Sequence, residues 1–380
     1  MRIGIVAGEA SGDLLGAGLI RAIKARVPHA QFEGIAGPLM VAEGCRALFP
    51  AERLAVMGLV EVAGRYFELR SIRSQLFKHF SDDPPDLFIG VDAPDFNLGL
   101  EGRLKRVGIT TVHYVSPTVW AWREYRLHKI ARSVDLMLAM YPFEEDYYHA
   151  HGVPVRFVGH PLADTIPLEV SRQESRAALA LPADKTVIGL LPGSRESELR
   201  MLAEAYVRCA HICNEQRPNL HFVCALATDK TFSIFADTLQ AVAPELPITL
   251  LRGRSQAVMA AADVLLVASG TATLEALLLK RPMVVAYKVA PLTYWLVKRM
   301  LKVPYCSQPN LLSGEAVVEE FIQDAATPEN LARGIMKLLE HPELTAGLRE
   351  RFAAIHHTLR KDASKEAAAA VLELVASRSV

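Results

Sequence analysis

The chain has 380 residues, of which 51% are hydrophobic and 22% charged, with 42 basic side chains balancing 42 acidic ones. That length exceeds what one core usually spans, so about two domains are expected, and the composition excludes a disordered chain. The charge balance leaves no electrostatic footprint for nucleic acid, so no such partner is expected.

The chain opens on Met1, Arg2 and Ile3 and runs straight into an apolar, β-branched stretch. The charged-then-apolar layout of an export signal is missing, and a cytoplasmic location is expected. No apolar stretch reaches the roughly twenty residues that a membrane-crossing helix needs. Cys45, Cys209, Cys213, Cys224 and Cys306 are scattered without the spacing of a zinc site, so five reduced, buried thiols are expected.

Short β-branched runs ending in Gly, Asp or Ser alternate with helix-like stretches, the rhythm of parallel βαβ units. In the first half the expected strands are 3–7, 87–91, 110–114, 136–139 and 155–158. In the second half they are 187–191, 221–225, 248–251, 264–268 and 283–286. After Pro309 the pattern predicts helices only, at 317–324, 328–340, 343–360 and 363–377. The fold class is α/β: two doubly wound, Rossmann-like parallel-sheet domains facing a cleft. The expected limits are 1–165, 166–345 and a helical tail, 346–380, that crosses back to the first domain. Ligands of such sheets bind beyond the carboxyl ends of the strands, so those loops carry the functional reading.

The first loop contains Gly8, Glu9, Ser11, Gly12 and Asp13. Its glycines let a ligand approach the backbone, but the spacing is not that of a dinucleotide fingerprint. Acidic side chains here suit sugar hydroxyls better than phosphates; the alternative is helix capping by Ser11 or Asp13. Asp92 follows the strand 87–91, where a general base for an attacking hydroxyl is wanted, although it can equally cap a turn. Asp95 starts a helix after Pro94. The D-x-D pattern of metal-dependent sugar transfer is missing, and no metal or cofactor is expected. His113 ends the third strand, and Trp120, Trp122 and Arg123 follow in its loop. The indoles suit a wall for a sugar ring or acyl chain, or else pack structurally.

In the second half Ser194 and Arg195 lie between a strand and a helix, where free amides and a guanidinium suit a phosphate. A capped helix with an exposed arginine is the alternative. Ser269, Gly270 and Thr271 form a second strand-to-helix turn, and Glu275 lies one helical turn on. Small hydroxylated residues there suit a diphosphate, and the carboxylate suits a ribose diol. Residues 54–80 mix Val56, Leu59, Val60, Val62, Phe67, Ile72 and Leu76 with Arg65, Arg70, Arg73 and Lys78, the makeup of an interfacial segment. Residues 294–302 are a second such stretch. Either can instead be an ordinary core-facing helix.

Eight motifs, VAGEASGD (6–13), GIAGP (34–38), VMGLVEV (56–62), DAPDFN (92–97), HYVSPTVWAW (113–122), LPGSR (191–195), ASGT (268–271) and PNLL (309–312), occur in this order. In this set the chain resembles the lipid-A-disaccharide synthase family. The resemblance implies a two-domain glycosyltransferase fold of the B type with the donor held mainly by the C-terminal half. It implies that UDP-2,3-diacylglucosamine and 2,3-diacylglucosamine 1-phosphate give a β-1,6-linked disaccharide 1-phosphate and UDP, with inversion and without metal. It adds Asn310 as a nucleotide contact and Glu9 as an acceptor-side residue, beside Ser11, His113 and Trp122. A monomer or homodimer is implied, in peripheral contact with the inner face of a Gram-negative inner membrane through Val56, Leu59, Val60 and Val62. The rivals are another UDP-sugar enzyme of this fold, a lipid-linked glycosyltransferase or a 2-epimerase, and a non-catalytic nucleotide-sugar or lipid-binding module.

Overall fold

The computed structural model describes residues 1–54, 59–122 and 124–378, with side chains except at 59–65, 292, 296 and 297. The chain divides into two compact units, Met1–Asp164 with Leu359–Val380, and Thr165–Thr358.

The first unit holds β1 (Arg2–Ala7), β2 (Gln31–Ala36), β3 (Cys45–Pro50), β4 (Leu87–Val91), β5 (Thr111–Tyr114), β6 (Leu136–Ala139) and β7 (Val155–Phe157). They form one sheet in the order β3-β2-β1-β4-β5-β6-β7, and every described pairing is parallel. β4 is buried at every residue because helices cover both faces of the sheet, which is why it reads as an unbroken apolar run. β2 and β3 escaped the sequence reading for the opposite reason. β2 carries Glu33, which is buried against Arg2 and His79, and Gly34, where any Cβ would sit 1.9 Å from the Ile5 carbonyl oxygen. β3 is an edge strand ending in Pro50, where a missing donor costs nothing.

The second unit repeats the plan with β8 (Thr186–Leu191), β9 (Leu220–Leu226), β10 (Ile248–Arg252), β11 (Val264–Ala268), β12 (Met283–Tyr287) and β13 (Glu320–Ile322). The order is β10-β9-β8-β11-β12-β13, again parallel. β13 corrects the expectation that strands stop after Pro309 and that 317–324 is a helix. Its three residues pair with β12, and a short 3-10 helix, Gln323–Ala325, follows. Tertiary pairing wins over local pattern because Glu320 is tied down: its carboxylate accepts from the Cys306 and Ser307 amides, the Ser307 hydroxyl and the Asn310 amide.

The helix Pro342–Leu359 stays with the second unit as far as Thr358, its Phe352 and His356 fully buried, the latter against Leu278 and Lys280. The last helix, Ala363–Arg378, belongs to the first unit. Ala367, Ala368, Ala370 and Val371 enter the core beneath β1, and Asp164 caps the helix by accepting from the Asp362 and Ala363 amides.

In the helix Leu59–Asp82, Ile72 and Leu76 are core, which corrects their place in an interfacial stretch; Phe67 is 79% exposed. Val56 and the side chains of Leu59, Val60 and Val62 lie outside the described residues. Among the described residues no helix is long and apolar enough to cross a membrane. All five cysteines are unpaired; four are buried as expected, while Cys306 is half-buried.

Candidate functional site

Each sheet reverses its strand order once, between β1 and β4 in the first unit and between β8 and β11 in the second. In an open parallel sheet the crevice beyond the carboxyl ends at that reversal is where ligands bind. The loops and helix starts after β1, β4, β8 and β11 carry, in turn, Glu9 and Ser11, Asp92, Ser194 and Arg195, and Ser269 to Glu275. The topology therefore gathers the sequence motifs at two points, one per unit.

In the first unit β4 ends in two consecutive left-handed residues, Asp92 at φ 52° and Ala93 at φ 43°. Such a pair without glycine costs conformational energy and persists only where its surroundings enforce it. The enforcing group is Asn97, fully buried in the helix Pro94–Arg106. Its side-chain amide donates to the Asp92 carbonyl at 2.8 Å and to the Val91 and Val6 carbonyls at 3.3 Å each, lashing the turn to β1. The Asp92 amide donates to the Tyr114 carbonyl at 2.8 Å. Asp92 is half-buried, and its carboxylate has no partner among the described residues. Asp95 is exposed beside Arg126 at the start of the same helix.

Glu9 is the exposed residue at the cap of the helix Ala10–Arg26, and neither it nor the exposed Ser11 caps that helix with its side chain. Asp13 does cap, but not its own helix. Buried, it accepts from the Gly37, Leu39 and Met40 amides at 2.9–3.0 Å and closes the start of the helix Pro38–Ala42. It therefore leaves the loop's mouth to Glu9.

His113, expected on the acceptor side, is fully buried on β5 with Nδ1 2.7 Å from an equally buried Glu101 oxygen. Burial raises the Glu101 carboxyl, opposed by the neighbouring imidazole. Trp122 is half-buried and its indole donates to the Thr118 hydroxyl at 3.2 Å. Trp120 is packed edge-on against Phe143 and donates to Glu144 at 3.1 Å. Glu144 also accepts from the Met140 and Tyr141 amides, and its burial pushes the carboxyl up to about 7. Sequence reading missed it because its partners are backbone groups and an indole from a distant loop.

In the second unit the amides expected to be open to a phosphate are taken. The Ser194 and Arg195 amides both donate to Glu198, at 2.9 and 3.2 Å, in a cap of the helix Glu196–Gln216. The Arg195 guanidinium is 76% exposed and lies 3.7 Å from Glu198 as well. The Ser269 hydroxyl is likewise spent, donating to the Cys306 carbonyl at 2.6 Å, while Gly270 and Thr271 stand exposed at the start of the helix Thr271–Leu278. Glu275 is half-buried, and desolvation raises its carboxyl.

Asn310, expected as a nucleotide contact, is buried. Its amide donates to Val318 O and Glu320, and its oxygen accepts from the Val317 and Val318 amides, so all four side-chain hydrogen-bonding positions are used within the protein. A cavity of about 910 Å³ opens along the edge strand β13 and the first residues of β12. Among the described residues no group of three His, Cys, Asp or Glu side chains could hold a metal ion.

The fold is the B type, built from two Rossmann-like units. Over 99% of this chain it superposes on the UDP-GlcNAc 2-epimerase of Neisseria meningitidis bound to UDP-GlcNAc, with a TM-score of 0.62, 14% identity and 100% of that chain covered. The calicheamicin glycosyltransferase CalG4 matches with a TM-score of 0.61 and 15% identity, covering 100% of this chain and 99% of that one.

Sequence narrows the class. The family model for lipid-A-disaccharide synthetase matches residues 3–374. A lipid-A-disaccharide synthase of Alkalilimnicola ehrlichii is 55% identical over 374 residues, 98% of each chain. The chain belongs to the lipid-A-disaccharide synthase family and is a glycosyltransferase.

Proposed function

We propose that the enzyme transfers a 2,3-diacylglucosamine unit from UDP to the 6-hydroxyl of 2,3-diacylglucosamine 1-phosphate. The observation that carries this reading is Asp92, a half-buried carboxylate without a partner among the described residues, on an enforced left-handed turn at the strand-order reversal of the first sheet. A base held on a rigid strand end suits deprotonation of a hydroxyl. As the acceptor O6 attacks the anomeric carbon, its proton passes to Asp92. The bond from that carbon to the diphosphate oxygen breaks, and UDP leaves with the electron pair. Attack opposite the leaving group inverts the centre and sets the β linkage.

The departing diphosphate needs cationic and hydroxyl donors, and an oxocarbenium-like transition state develops opposite it. Arg195 and the exposed Gly270–Thr271 turn supply them in this account, and Glu275 takes the ribose diol. Ser194, Ser269 and Asn310 act through the backbone they hold, and Glu9, Ser11 and Trp122 line the acceptor side. His113 supports that side from within β5. The enzyme works at the inner face of the inner membrane, peripherally bound, with Val56, Leu59, Val60 and Val62 as its first contact.

The test is UDP release with each acylated sugar omitted in turn. Release that needs both supports the transfer. Release with the donor alone, or an epimerised donor, favours a hydrolase or the epimerase chemistry instead.

A further inference from the structure

The segment between β12 and Cys306 is an excursion from the donor-side turn. Ser269 holds both of its ends, donating its amide to the Ala286 carbonyl at 2.9 Å and its hydroxyl to the Cys306 carbonyl at 2.6 Å. Within it lies the helix Pro291–Met300. At about 100° per residue, Pro291, Tyr294, Trp295, Lys298 and Arg299 share one face. Trp295 is 51% exposed, Met300 40% and Leu301 43%, so three large apolar side chains meet solvent within seven residues of one another. Arg299 stacks its guanidinium 3.5 Å from the centre of the Trp295 ring, and Lys298 lies 5.7 Å from that of Tyr294. Trp295, Met300 and Leu301 are therefore not core side chains.

Charge identifies the occupant. From Ala276 to Gly314 the sequence has no acidic residue and six basic ones, Lys280, Arg281, Lys288, Lys298, Arg299 and Lys302. Lys298, Arg299 and Lys302 are exposed around the apolar side chains. Aromatic and aliphatic tips ringed by cations fit the boundary between acyl chains and anionic headgroups.

We propose that the helix Pro291–Met300, with Leu301 and Lys302, is a second membrane-contact surface, carried by the donor-side unit, that docks on anionic lipid. Because the excursion is bonded at both ends to Ser269, this contact brings the bilayer beside the turn that receives the donor's diphosphate. An acylated donor then keeps its chains in lipid while its nucleotide occupies the protein. This purpose rests on the function proposed above; the surface itself does not.

The test uses the full chain and vesicles of phosphatidylcholine with phosphatidylglycerol, containing neither sugar substrate. Brominated acyl chains should quench Trp295 emission, seen as the difference between wild type and Trp295→Phe. The triple variant Trp295→Ser/Met300→Ser/Leu301→Ser should bind these vesicles about tenfold more weakly or worse, with UDP affinity and melting temperature unchanged. Lys298→Gln/Arg299→Gln should weaken binding at low salt and flatten its salt dependence. The surface is refuted if brominated lipid leaves Trp295 emission unchanged. Should the triple variant lose solubility, the quenching measurement on the wild type decides alone. A wild-type dimer that the triple variant breaks, with vesicle binding intact, would overturn the lipid reading in favour of self-association. Failure of quenching beside intact disaccharide formation removes this surface and leaves the enzyme's function standing. Quenching without disaccharide formation does the reverse.

Discussion

The two units share a strand plan but prepare their strand-reversal points differently. In the first, the backbone is strained and the functional side chain is left alone: Asp92 and Ala93 are left-handed, Asn97 holds them, and the Asp92 carboxylate has no partner among the described residues. In the second, polar groups are consumed to build the loops. Glu198 takes two amides, Ser269 serves Cys306, and Asn310 binds Glu320 and the Val317–Val318 backbone. In the proposed reading, one unit presents the Asp92 carboxylate on a turn held by Asn97. The other presents a few exposed donors, Arg195 and Thr271, on a loop system braced from beneath. A catalytic base needs placement, whereas a diphosphate needs charge and tolerates a softer fit, and the contrast follows that division of labour.

The largest expected effect is on the base. Asp92→Asn should lower turnover by about 10²-fold or more while leaving UDP affinity intact. Near-normal turnover would remove Asp92 from the chemistry and with it the contrast. Next come the donors. Arg195→Ala and Glu275→Ala should each weaken UDP by about 1.5–3 kcal/mol, read by calorimetry, with little change in melting temperature. Unchanged affinity in both would mean the nucleotide sits elsewhere. Glu198→Ala sharpens the point: it frees two amides, so it should cost about 1 kcal/mol of stability through the lost cap without abolishing UDP binding.

Asn97→Ala tests whether the frame matters. Three buried carbonyls lose their donor, so about 1–3 kcal/mol of stability should go, and turnover should fall about tenfold at unchanged UDP affinity. Stability loss with full turnover would make Asn97 merely structural.

The smallest effect is a pH dependence at Glu144. Its folded value is raised to about 7 by burial, above the roughly 4.3 of an unfolded glutamate. A raised carboxyl contributes stability while protonated, fully below the unfolded value, and loses it as pH climbs to about 7. Relative to wild type, Glu144→Gln should therefore gain melting temperature between those limits and nothing further above them. Parallel curves for the two proteins would show that Glu144 is ionised in the fold throughout.

Ten strands were legible because a doubly covered strand reads as an apolar run with a turn residue after it, as at 87–91 and 264–268. β2, β3 and β13 were not, since a buried Glu33, a terminal Pro50 and, in a strand of only three residues, a leading Glu320 break that pattern. The motif loops were legible as loops, and the sheet topology explains why they matter. Their internal accounting was not. Asp13 serves amides 24 to 27 residues away, and Asn310 folds back on a strand whose existence local periodicity conceals. His113 looked like a strand-end residue of the site because alternation along β5 is hidden when both faces are buried.

The most direct test of the central claim is the structure of the product. Wild-type enzyme, both acylated sugars in detergent and NMR of the purified product should give a β-linked disaccharide joined through O6 of the acceptor, with one UDP formed per disaccharide. An α linkage, attachment at another hydroxyl, or UDP formed without any disaccharide would contradict the account.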